Sequence, residues 1–132
     1  MIVGIVGSRK YENKKKIKDF IFNLKKKFDN IVICSGGCLE GADKYAKKYA
    51  IEFECSYKEF NPAHTVYNLY SACRENYYGK KYNVRYYFLR NAMLAKYCDI
   101  VVGFIPDGDD SNGTNYTLKE AKKNGKKTLI IS

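Results

Sequence analysis

The chain has 132 residues, 45% hydrophobic and 29% charged, enough apolar material for one core and too little length for a second domain. No apolar run approaches the about 18 residues of a membrane-spanning helix, which argues against membrane insertion. Lys and Arg number 24 against 14 Asp and Glu, and the net charge of +10 favours anionic partners without choosing between polymers and small phosphates.

Lysine supplies 20 of the 24 basic residues, and with 13 tyrosines and many Asn and Ile this also fits the codon bias of an AT-rich genome. The first residues, MIVGIVGSRK, place basic groups after a short apolar stretch, the reverse of a signal peptide, so a cytoplasmic location is expected. The cysteines Cys34, Cys38, Cys55, Cys73 and Cys98 are odd in number and contain no CxxC pair, which reads as reduced thiols rather than disulfides or a zinc ribbon. Nothing in the pattern asks for a metal or a cofactor.

Periodicity predicts alternating strands and helices in a single domain over residues 1–132. Ile2 to Val6 is a short, nearly all-apolar run of the kind found in strands covered on both faces. From about Asn13, Ile17, Phe20, Ile21, Leu24 and Phe28 form one helical stripe opposite a lysine face. Ile31 to Cys34 reads as a second strand, and Ala42, Tyr45, Ala46, Tyr49 and Ala50 as a second helix. Phe53 to Tyr57 is expected to be a third strand, followed by a long loop from about Asn61 to Tyr82. Leu89, Ala92, Met93 and Tyr97 mark a third helix. Ile100 to Ile105, Thr114 to Asn124 and Thr128 to Ile131 read as a strand, a helix closed by Gly125 and a last strand. The expected fold is α/β, Rossmann-like and doubly wound, with a mainly parallel five-stranded sheet and helices on both faces.

In such sheets ligands bind beyond the carboxyl ends of the strands, where loops enter helix N-termini. Three motifs fall there. Gly7-Ser8-Arg9 combines a tight turn, a hydroxyl and a guanidinium that can fork onto a phosphate or carboxylate. Ser35-Gly36-Gly37-Cys38-Leu39-Glu40-Gly41-Ala42-Asp43 frees backbone N–H groups ahead of a helix. Asp107 to Thr114 places a glycine and hydroxyls at the start of the last helix. Each alone is also an ordinary capped turn; together they predict one crevice. None is a GxGxxG fingerprint or a GxxxxGK[ST] loop, so neither a standard NAD site nor a Walker-type ATPase is indicated.

GSRKY, SGGCLEGADKYAKKYA, RNAML, CDIVVGF and SNGT, in that order along the chain, resemble the SLOG superfamily, in particular its small YspA-like branch. The superfamily is related to the Lonely Guy phosphoribohydrolases and the Smf/DprA proteins. The resemblance implies a Rossmann-like fold with a pocket for a nucleotide or nucleotide derivative, such as an ADP-ribose-like or cyclic-nucleotide-like molecule. It places that pocket on Gly7, Ser8, Arg9, Ser35, Gly36, Gly37, Gly41, Asp43, Arg90, Asn91, Ser111, Gly113 and Thr114. Members occur beside nucleotide-signalling and phage-defence systems, so the resemblance also implies a sensor or sequestering protein, bacterial or phage-encoded.

Two other functions stay open. Lonely Guy enzymes carry PGGxGTxxE, whereas here the glutamate position falls on Thr117 and the PGG is missing, although Arg90 matches their arginine. Glu120 lies one helical turn on, displaced by about 4.5 Å. An N-glycosidase or nucleotide hydrolase would then need Asp43, Asp107, Asp109 or Asp110, each of which also suits a cap or solvated turn. Single-stranded nucleic-acid binding fits the charge, but the basic residues are spread around the helices rather than gathered in one stripe. His64, the one histidine, reads as solvated loop surface, and Cys34 as packing. Cys38 sits at a helix start, where oxidation is the chemistry to watch. Tyr67, Tyr70, Tyr77, Tyr78, Tyr82, Tyr86 and Tyr87, interleaved with Arg74, Lys80, Lys81 and Arg85, suit either a lid over a nucleotide or a contact in a homo-oligomer.

Overall fold

The computed structural model describes residues 1–132. Its sheet is built outward from the first strand, β1 (Ile2–Gly7), whose apolar run is buried because it pairs in parallel with β2 (Val32–Ser35) on one edge and β4 (Ile100–Phe104) on the other. With β3 (Ser56–Glu59) and β5 (Lys127–Ile131) at the margins, the order is β3-β2-β1-β4-β5 and every pairing is parallel. This is the doubly wound α/β architecture that strand-helix alternation predicts.

The period of two along the strands sorts the core into two layers. Val3, Ile5, Ile33, Val102 and Phe104 face α1 (Lys14–Lys27) and α2 (Gly41–Glu52), meeting Ile17, Ile21, Ala46 and Tyr49. Val6, Cys34 and Val101 face the other way, toward α3 (Arg85–Tyr97) and α4 (Asn112–Lys123), meeting Leu94, Ala95, Leu118 and Ala121. Burying each Ile or Leu stabilises the fold by about 1.5–3 kcal/mol relative to exposure. Gly4 lets α3 come close, since a side-chain carbon there would stand 2.9 Å from both Leu94 and Cys98.

One expectation is corrected. The third strand starts at Ser56 rather than Phe53, because Phe53 closes α2 and Glu54 turns the chain with φ of 60° before pairing begins. The third helix expected around Leu89, Ala92, Met93 and Tyr97 is α3, and within it Leu94 and Ala95, with Cys98 just beyond, are buried while Leu89 and Tyr97 are exposed. The helix carries apolar residues on two sides, and the sheet takes the side that also holds Arg90 and Asn91. The segment between β3 and α3 is a loop over nearly all its length, with one 3₁₀ turn at Glu75–Tyr77 and a single bridge from Glu59 to Ser71.

Candidate functional site

After β1 the chain crosses toward β2, and after β4 it crosses toward β5, so a crevice opens where these two adjacent strands end. A cleft of about 340 Å³ lies there. Its walls come from the loop after β1, the loop into α2, the inner face of α3 and the first turns of α4.

The first wall is fixed by backbone bonds. Ser8 N donates to Phe104 O at 3.1 Å, carrying the β1–β4 pairing into the loop, and Ser8 O accepts from Ala42 N at 3.2 Å, tying that loop to the start of α2. Ser8 Oγ accepts from Lys10 N at 3.0 Å. Arg9 and Lys10 are exposed at the mouth.

The second wall turns on Gly36. A side chain there would meet Arg90 Nη1 at 2.5 Å and Asp43 Oδ2 at 2.9 Å, so only glycine lets these two groups approach the cleft floor together. Arg90 Nη1 donates to Gly36 O at 2.6 Å and Phe60 O at 3.3 Å, and Nε donates to Asn91 Oδ1 at 2.6 Å. Asp43 is buried, its Oδ2 accepting from Cys38 N at 3.2 Å. Burial pushes the Asp43 carboxyl above its ordinary value, with Arg90 and the Cys38 N–H opposing. Burial likewise pushes the Arg90 guanidinium down, opposed by Asp43.

The third wall is the start of α4, which no side chain caps. Its first N–H groups are unsatisfied by helix geometry and give the cleft a positive end. Ser111 Oγ donates to Thr114 Oγ1 at 2.6 Å, so the two hydroxyls stand side by side there. α2 also lacks a side-chain cap.

Of the residues expected at a site, Gly7, Ser8, Arg9, Gly36, Asp43, Arg90, Asn91, Ser111, Gly113 and Thr114 line this one cleft. Ser35, Gly37 and Gly41 stand behind it. Ser35 Oγ lies 2.6 Å from Tyr57 Oη and accepts from Gly37 N at 3.2 Å. Gly37, at φ of 73°, packs on Asn61 and Glu59; Gly41, at φ of 67°, packs on the backbone of Ser8 and Arg9. These residues shape the turn and do not face the cavity. Thr117 lines the cleft but spends its hydroxyl on Gly113 O at 2.9 Å. Asp107, Asp109 and Asp110 are not part of the lining, and the carboxylates that are belong to Asp43 and Glu40.

Sequence reasoning missed Lys10, Glu40 and Leu94 in the lining, and Glu59 beneath it. Glu59 is 1% exposed, takes Lys47 Nζ at 2.9 Å and accepts from Tyr57, Asn61 and Asn68. Burial alone would raise this carboxyl, but Lys47 and the two amides hold it below the ordinary glutamate range. A lone glutamate in a charged strand gave no sign of this. His64 is corrected as well: it is half-buried, with the rings of Tyr82, Tyr87 and Tyr86 at 4.7, 5.0 and 6.0 Å.

The structure holds no cluster of three or more His, Cys, Asp or Glu side chains suited to a metal ion, and no helix is long and apolar enough to cross a membrane. No family model matches the chain, and no curated protein matches it. Among solved structures the chain is similar to the molybdenum cofactor binding protein from the phototrophic bacterium Rippkaea orientalis. The TM-score is 0.70 at 18% identity, over 98% of this chain and 74% of that one, a likeness of fold.

Proposed function

We propose that the protein binds a phosphate-bearing, nucleotide-derived small molecule in this cleft, as a sensor or sequestering protein. One observation carries the reading: Arg9, Arg90 and the uncapped start of α4 converge on a single crevice at the point where the strand order reverses. That is the arrangement that holds an anion beside an α/β sheet. The cavity is the right scale for a mononucleotide. The SLOG-like motifs favour a nucleotide derivative over other phosphates. The neighbour described as a molybdenum cofactor binding protein favours small-molecule binding as a class.

The test is mass spectrometry of ligands released from the purified protein, followed by incubation with AMP, ADP-ribose and cyclic nucleotides. Retention of an intact nucleotide derivative supports the reading, and failure to retain or bind any phosphate compound overturns it.

A second reading has its own observation. Asp43 presents a buried carboxyl with a raised proton affinity to the same cleft, as a general acid at an N-glycosidic or phosphoester bond would. Release of free base or ribose phosphate in the same incubation, abolished by Asp43→Asn, would favour it. Thr117 in the glutamate position counts against a Lonely Guy mechanism.

A further inference from the structure

We infer that Tyr87 is the ring-recognising residue of the cleft, so that the ligand carries a planar heteroaromatic ring beside its anionic group, and that His64 is the positioning residue that braces Tyr87. This deepens the proposed function and rests on it.

Most residues that line the cleft are polar or glycine, and Tyr87 is the one aromatic side chain among them. It stands one turn before Arg90 and Asn91 on α3, so a single helix face presents an aromatic ring, a guanidinium and an amide to the cavity. The Arg90 guanidinium carbon is 5.7 Å from the Tyr87 ring centroid, which places cationic and aromatic surfaces next to each other. A ligand that offers both an anion and a π-face uses both; a sugar phosphate uses only one.

Tyr87 is not free to turn away. His64 meets it at 5.0 Å and 73°, and Tyr82 at 6.4 Å and 69°, both edge contacts that fix a ring's orientation. His64 is held there by aromatic packing rather than by its polar atoms, since its Nδ1 is buried without a partner. The loop that delivers it is pinned across its base, with Gly79 N donating to Thr65 O and Lys80 N to Ala63 O, each at 3.0 Å. The tyrosine-rich segment thus reaches the site through Tyr87, on which His64 and Tyr82 both pack.

The experiment compares AMP with ribose 5-phosphate, which share the phosphate and sugar and differ by the base, by calorimetry on the full chain. Wild type is expected to prefer AMP about tenfold or more, the contribution of one base stacked on an aromatic ring. Tyr87→Leu and His64→Ala are expected to cut that preference to near unity, with Tyr87→Phe and His64→Phe restoring it. Restoration by flat side chains separates ring positioning from general support of the fold. For the case in which Tyr87→Leu does not fold, cross-relaxation in wild type between the adenine protons and the Tyr87 ring is expected. An undiminished preference in folded Tyr87→Leu, or no such cross-relaxation, overturns the inference while leaving phosphate binding intact. Binding of neither probe overturns the inference together with the reading beneath it.

Discussion

Arg90 and Asp43 both crowd the space beside Gly36 without forming a salt bridge, and the ion pairs of the structure lie elsewhere, at Lys15–Asp19 and Lys47–Glu59. The guanidinium is instead spent on carbonyl oxygens and on Asn91, and the carboxyl on a backbone N–H. Opposite charges are thus held close but unpaired at the floor of the cleft.

Gly36→Ala tests how tightly that arrangement is set. The added carbon would meet Arg90 and Asp43 at once, so one of them must move. Overpacking of this kind costs about 1–3 kcal/mol. The expected outcome is a lowered Tm together with at least tenfold weaker ligand binding, read by thermal unfolding and calorimetry.

Arg90→Met keeps much of the side chain's bulk and removes its donors. Gly36 O and Phe60 O then lose their partner in a part-buried setting, for a loss of about 1–3 kcal/mol. Stability and affinity should fall together. Arg9→Ala provides the contrast, because Arg9 is exposed: affinity for phosphate ligands should drop with Tm unchanged.

Lys47→Met strips Glu59 of the ammonium at 2.9 Å and leaves a buried carboxylate supported only by hydroxyl and amide donors. The expected loss is about 1–3 kcal/mol, moderated because Lys47 itself is partly exposed. A fall in Tm of roughly 3–10 °C, measured by circular dichroism, would express it. Glu59→Gln paired with Lys47→Met should recover part of the loss.

The two buried acids have opposite pH signatures. Asp43 has its folded-state value raised, so the folded protein holds the proton more tightly, and this group's contribution falls as pH climbs from the ordinary value of 3.8 through the raised one. Asp43→Asn should therefore gain on wild type across that window. Glu59 is lowered from 4.5, so its contribution is present above that value and is lost as pH falls through the lowered one. The advantage of wild type over Glu59→Gln should shrink on acidification. Denaturant melts between roughly pH 3 and 7 check both signs.

Salt separates a small ligand from a polymer. Two or three cationic contacts predict a shallow dependence of affinity on ionic strength, whereas a strand tracking the lysine-rich helices would give a steep one. Titration of AMP and of an oligonucleotide over the same salt range measures this.

The sequence was legible where one physical pattern dominated. Continuous apolar runs at Ile2 and Ile100 could only be central strands, and three glycine turns after three strands had to meet once the sheet was parallel. Patterns with two solutions were not legible. α3 offers Leu89, Ala92, Met93 and Tyr97 on one side and Leu94, Ala95 and Cys98 on another, and only the packing of Gly4 against Leu94 and Cys98 decides between them. Gly37 and Gly41 carry the marks of a ligand loop, yet their left-handed backbone serves contacts behind the cleft. Glu59 and His64 were opaque because much of their surroundings, Lys47 on α2 for one and Tyr82, Tyr86 and Tyr87 for the other, is brought in from other parts of the chain.

The central place of β1 also governs how the chain is assembled. Residue 3 pairs with residue 33 on one edge and with residue 100 on the other. During synthesis, β1, β2 and β3 can zip together with α1 and α2 as soon as the first 60 residues are available. The other edge of β1, bare and apolar, must then wait for nearly 40 more residues before β4 arrives. An open strand edge of this kind recruits other strands. Chains stalled or truncated before β4 are expected to aggregate through β1, and the slow step of refolding to be the docking of β4 into the half-sheet.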